Sequence, residues 1–176
     1  MAIDRGQTLR GALAGAVAAA VWAAQQPLDK RAFDFDHDDA HLLGRLVTRG
    51  PAVRPVGLAM HVANGAAFGA LYANLAPRLP LPSWARGPAA AMVENVATFP
   101  LAFVVEQVHP GRDELPSFSE APVRSFAQAT WRHLLFGVVL GELERRLNAP
   151  RDPEVPAYEH FASSNGHGSL EEVATA

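Results

Sequence analysis

Nine polar side chains stand in stretches that are otherwise almost wholly apolar: His61, Asn64, Glu94, Asn95, Glu106, His109, Gln128, Arg132 and His133. Polar groups inside hydrocarbon face the interior of a helix bundle and often mark solute paths or proton relays. The same groups can also serve as an ion-pair and hydrogen-bond network that only specifies how helices dock. Glu106 and His109 have the Glu-x-x-His spacing of di-iron bundles, in which both side chains project from one helix face. That chemistry needs a second such pair and two further glutamates. The sequence has no second copy, and Pro110 puts His109 at a helix end.

The run Asp34-Phe35-Asp36-His37-Asp38-Asp39-Ala40-His41 invites a divalent-metal reading. An EF-hand loop beginning at Asp34 would need glycine at its sixth position and glutamate at its twelfth. Asp39 and Arg45 stand there, so the run is read as a solvated acidic loop and no metal is expected. His160 and His167 lie in a polar tail and are given no role. The chain has no cysteine, which excludes disulfides, thiolate zinc sites and thiol nucleophiles. No G-x-S-x-G, phosphate-binding loop or dinucleotide fingerprint is present, and neither a cofactor nor a catalytic residue is assigned.

The elements that must position these residues follow from where charge is missing. Windows 11–28, 55–77, 87–105 and 125–141 contain only two charged side chains, Glu94 and Arg132, of the 33 in the chain. A soluble amphipathic helix carries charge on its outer face at every turn or so. Each window approaches the roughly 20 residues that cross a bilayer core. The expected fold is therefore all-α: a four-helix transmembrane bundle with a short extramembrane helix and a disordered C-terminal tail. Residues 1–147 form the membrane domain, with spans of about 9–28, 55–77, 87–108 and 123–144, and 148–176 form the tail. Arg5 and Arg10 before 11–24 resemble the start of a signal peptide, but the segment has few strongly apolar residues and three more windows follow.

Glycine spacing supports close helix packing. Gly11 and Gly15, Gly65 and Gly69, and Gly137 and Gly141 make three G-x-x-x-G pairs in three windows. In lipid such pairs let helix backbones approach. His61 lies on the same stripe, four residues from Gly57 and from Gly65, and so faces other helices. Residues 40–48 are expected to form the short surface helix, 78–86 a tight Pro-rich connection and 109–124 a loop.

With Glu94 and Arg132 each about seven residues into its window, antiparallel packing would place them at different depths. Arg132 is then expected to be neutralised by Glu106 or a backbone carbonyl. Glu94 is expected to pair with His61 or Asn64, with Tyr72 also within reach.

Fifteen Lys/Arg against eighteen Asp/Glu give a net charge of −3, which argues against a nucleic-acid binder. The expected partner is the lipid bilayer, with a homo-oligomer or membrane partner meeting the glycine stripes. The basic residues of the connecting segments divide evenly between the two sides, so the positive-inside rule leaves sidedness undecided. Cytoplasmic termini in the cell (inner) membrane are favoured because the tail bears no sign of export.

The stretches LLGRLVTRG (42–50), HVANGAAFGALYA (61–73), ENVATFPLAFVVEQVHP (94–110) and HLLFGVVLGEL (133–143) resemble an uncharacterised family of small actinobacterial multi-pass membrane proteins. Phe99-Pro100 and His109-Pro110 are similar to its aromatic-Pro and His-Pro pairs. The resemblance implies fold and location and carries no activity. The functional expectation is a small polytopic membrane protein, scaffold or transport-like, with a polar intramembrane core. The alternative is a membrane-embedded enzyme or metal-binding protein using His61, Glu94, Glu106 and His109. A water-filled cavity reaching His61 and Glu94 would favour transport, and dry packing would favour a scaffold.

Overall fold

A computed structural model describes residues 4–149, so nearly all of the expected tail lies outside the described residues. Among them there are five α-helices and no strand. They are α1 (Arg5–Phe33), α2 (Asp39–Arg45), α3 (Val53–Leu75), α4 (Ser83–Val108) and α5 (Pro122–Leu147). A 29-residue α1 and a 26-residue α4 extend about 44 and 39 Å at 1.5 Å per residue.

Local chemistry sets these ends. Asp4 caps α1 by accepting from the backbone N–H groups of Gly6 and Gln7 at 2.8 and 3.1 Å. At its far end Asp34 adopts the left-handed conformation, φ 49°, while Lys30 and Arg31 oppose the helix dipole in the last turn. The helix therefore runs through the charged residues that close the first uncharged window, since backbone hydrogen bonding does not stop where hydropathy falls. Asp38 caps α2 through the His41 N–H at 2.9 Å. The expected surface helix over 40–48 is found one residue earlier at its start and stops at Arg45, beyond which 46–50 turn and Gly50 takes φ 82°.

The long helices pack as a row rather than a ring, in the order α3, α1, α5, α4. Alanine and glycine make the contacts. A Cβ placed on Gly15 would overlap the Gly65 carbonyl, and one on Gly69 would overlap that of Gly11. Gly87 meets Gly137 and Gly141 in the same way across α4 and α5. The short α2 lies on α3, where Gly44 faces the Val53 carbonyl. No packed interface joins α3 to α4, although only the short connection over 76–82 separates them in sequence.

Apolar and polar surfaces are distributed inside out. Of the six largest side chains with under 2 % exposure, only Leu140 is apolar; the others are Arg132, Gln128, Asn95, Asp29 and Ser125. Outward faces carry Leu9, Leu13 and Leu28 on α1, Leu71 on α3, Val93 and Val104 on α4, and Trp131 and Val138 on α5. The segments Val53–Arg78 and Ser83–Val108 are long and apolar enough to cross a membrane. The α1 and α5 helices match them in length but not in apolarity: α1 is filled by alanine and glycine, and α5 contains Gln128, Arg132 and His133.

Candidate functional site: a polar clasp beside a side-opening cavity

The centre of the row is built on Arg132 of α5, which is 1 % exposed. Its Nε donates to Asp29 Oδ2 at 2.7 Å and its Nη2 to Asp29 Oδ1 at 2.6 Å, a two-pronged bond that matches the fork of a guanidinium to a carboxylate. Nη1 donates to Asp39 Oδ2 at 2.7 Å, and Nη2 also reaches the His37 carbonyl at 3.1 Å. Gln128, one turn earlier, donates through Nε2 to Asp29 Oδ1 at 2.9 Å and to the Phe35 carbonyl at 2.7 Å. From α1, Trp22 Nε1 and Gln26 Nε2 each donate to Asp39 Oδ2 at 3.0 Å, and Gln25 Nε2 donates to Asp29.

The α1–α2 connection supplies half of this clasp by dipping into the bundle. Phe35 and His37 point inward and are buried, whereas Asp34 and Asp36 face outward and are exposed. Lys30 anchors the outer side through Asp36 at 2.9 Å and Asp38 at 3.5 Å. Burial works to raise the Asp39 carboxyl. The hydrogen bond from His37 and the charge of Arg132 outweigh it and hold the group far below the usual carboxylate range.

A cavity of about 330 Å³ opens beside the clasp, in the space where α3 and α4 are unpacked. Its inner wall carries Trp22, Asp39, His61, Asn95, Arg132 and His133, and its outer wall on α4 is apolar, with Phe99, Leu101, Ala102 and Val105. The Trp22 ring stands edge-on to His61 at 5.3 Å and to His133 at 4.8 Å between ring centres. His133 Nδ1 lies 2.7 Å from the Ala129 carbonyl and Nε2 lies 2.5 Å from Glu94 Oε2. A carbonyl can only accept, so Nδ1 bears a hydrogen. Nε2 then faces the Glu94 carboxyl across the cavity wall.

Three buried side-chain atoms on residues of the cavity wall have no partner, His37 Nδ1, His61 Nε2 and Asn95 Oδ1. Asn95 is otherwise tied by Nδ2 to Thr130 Oγ1 at 3.2 Å.

The expected polar residues thus divide. His61, Asn64, Glu94, Asn95, Gln128, Arg132 and His133 all line one cavity. Glu106 and His109 stand apart. Glu106 accepts from the Ser119 backbone N–H at 3.0 Å and from the hydroxyls of Ser117 and Ser119, pinning the loop after α4. His109 Nε2 meets the Leu42 carbonyl at 3.1 Å, and burial lowers its pKa.

The expected pairings are therefore corrected. Arg132 is neutralised by Asp29 and Asp39 and not by Glu106, and the backbone carbonyl it also meets is that of His37; Glu94 pairs with His133 and not with His61, Asn64 or Tyr72. The depth argument failed because the helices outrun their uncharged windows. Glu94 is eleven residues into α4, and Arg132 is ten into α5. Both stand near mid-helix.

Sequence reasoning missed Asp29, His37 and Asp39, and the reading of 34–41 as a wholly solvated loop is overturned for its inward residues. The available signal was Gln25 and Gln26 ending an apolar window one turn before Asp29. Among the described residues, no group of three or more His, Cys, Asp or Glu is arranged to hold a metal ion. Comparison with family models, curated proteins and solved structures gave no match.

Proposed function

We propose that the chain is a four-span integral membrane protein whose side-opening cavity binds a small solute next to the Glu94–His133 pair, a transport-like role. The cavity that reaches both His61 and Glu94 carries this reading. A scaffold needs close packing at its centre; here space is kept open against protonatable and unpartnered polar groups.

The four-span topology rests on the inside-out distribution of side chains. Polar groups buried against one another and apolar groups turned outward on α1 and α5, as well as on α3 and α4, suit hydrocarbon surroundings better than water. The location proposed is the cell membrane, with both termini on the cytoplasmic side. Kinship with the small actinobacterial multi-pass family belongs to the same proposal.

Two measurements test it. Carbonate washing should leave the protein in the membrane pellet, and release into the supernatant would overturn the topology. The absence of cysteine makes single-cysteine labelling direct. A water-soluble, membrane-impermeant thiosulfonate should modify Ala129→Cys, on the cavity wall, but not Val104→Cys, which is 55 % exposed on the outer face of α4. Silence at both positions would mean a dry centre and favour the scaffold.

A further inference from the structure

The chemistry of the cavity narrows what it could hold. Asp39 and Glu94 are the carboxylates of its lining; Asp39 is engaged by Arg132, which also holds Asp29 outside the lining, and Glu94, paired with His133 and 36 % exposed, is the carboxylate an incoming group can reach. Asn95 Oδ1 is an unpartnered acceptor on a residue 1 % exposed. His61 Nε2 is unpartnered on a residue 9 % exposed and accepts in its Nδ1–H form. The Trp22 ring stands beside both histidines, and an aromatic face attracts a cation. An incoming group that donates several hydrogen bonds and carries positive charge satisfies all of these features together.

The shape supplies the rest. Leu101, Ala102 and Val105 of α4 line the cavity beside the unpacked α3–α4 gap, and Leu42 and Leu43 of α2 with Phe118 line it beside the connecting segments. In a bilayer this gap faces hydrocarbon. An apolar tail can lie there while its head reaches Glu94.

Building on the membrane-cavity reading, we infer that the ligand class is a cationic amphiphile: a primary ammonium group on an apolar chain, admitted sideways from the bilayer between α3 and α4. The ammonium donates to Glu94 and to the unpartnered acceptors.

The test is equilibrium binding of radiolabelled dodecylamine to the full chain in phosphatidylcholine nanodiscs, with empty nanodiscs subtracted. One saturable site per chain is expected, displaced by unlabelled dodecylamine but neither by dodecanoate, which has the tail with an anionic head, nor by butylamine, which has the head with a short tail. Glu94→Gln should weaken binding about tenfold or more, the loss expected for one charge-assisted bond. Glu142→Gln, a surface carboxylate on α5 held by Arg145 and Arg146, should match the unmodified chain. If Glu94→Gln fails to fold, Ala102→Trp closes the cavity mouth instead and should abolish the site.

Binding no greater than in empty discs, equal competition by dodecanoate, or full binding in both cavity variants would overturn the inference. Ala129→Cys labelling separates the failures: a labelled cysteine without dodecylamine binding sinks the ligand class alone, and an unlabelled one sinks the cavity reading with it.

Discussion

Asp29, four residues before the end of α1, grips Arg132 of α5 through two nearly parallel hydrogen bonds of 2.7 and 2.6 Å, across 103 residues of sequence. Both side chains are out of contact with solvent. The pair ties the helices at the centre of the row in one vertical register, because a shift of either by a turn would separate the fork from the carboxylate. Breaking a buried ion pair by removing one partner costs about 3–5 kcal/mol, since the other is left uncompensated. Arg132→Met should therefore lower the detergent melting temperature sharply, and Asp29→Leu combined with Arg132→Met should recover part of the loss. Arg132→Lys should not rescue, as an ammonium cannot form the fork. A double variant no more stable than Arg132→Met alone would show that the pair is not coupled in this way.

The α1–α3 contact makes a second prediction. Gly65→Val should push the two helices apart, because even a Cβ there would meet the Ala19 side chain and the Gly15 carbonyl. Ala63→Val, on an exposed face two residues away, should be nearly neutral. Thermal unfolding of the two variants compares them directly, and equal losses would contradict the packing.

Acid should loosen the α1–α2 connection. The Asp38 carboxyl is opposed by burial, yet the His41 N–H and the charges of Lys30 and Arg54 leave it below its ordinary 3.8. A carboxyl depressed in the folded state contributes stability that is complete above its unfolded value and is lost as pH falls through the folded one. Stability should therefore decline below about pH 4. Asp38→Asn keeps the helix cap, because asparagine caps as well as aspartate, but removes the titration. Its melting temperature should fall less steeply with acid than that of the unmodified chain.

Glu114 offers a milder test. It bridges His41 at 2.8 Å and also Arg45, tying α2 to the α4–α5 loop from a solvent-exposed position that lowers its pKa through the Arg45 hydrogen bond. Exposed ion pairs add little to global stability. Glu114→Gln should leave the melting temperature almost unchanged while hastening protease cleavage within 109–121.

The helices were legible because uncharged windows and glycine steps are local patterns: each of the four windows lies within one observed helix, except for the last residues of 55–77, which form a 3₁₀ turn. The polar core was legible as a set, since a charge inside an apolar window has few places to go. Its pairings were not. Asp29 and Asp39 sit outside the windows, and nothing local marks them as inward; an aspartate in a charged segment has the same composition whether it faces water or folds back over a guanidinium. The connection alternates over 34–37, with Phe35 and His37 inward and Asp34 and Asp36 outward, and that period is too short to stand out beside four aspartates. The gap between α3 and α4 is a property of which helices do not pack, and no run of residues encodes it.

The helices lie in the order α3, α1, α5, α4, whereas the ribosome makes them in numerical order. The last long helix synthesised is therefore an inner member of the row. Until it is made, Asp29 and Asp39 wait without their guanidinium, and α4 has no neighbour to lie against. A chain that ends early is thus marked by unpaired carboxylates at its centre, which sets an unfinished molecule apart from a finished one.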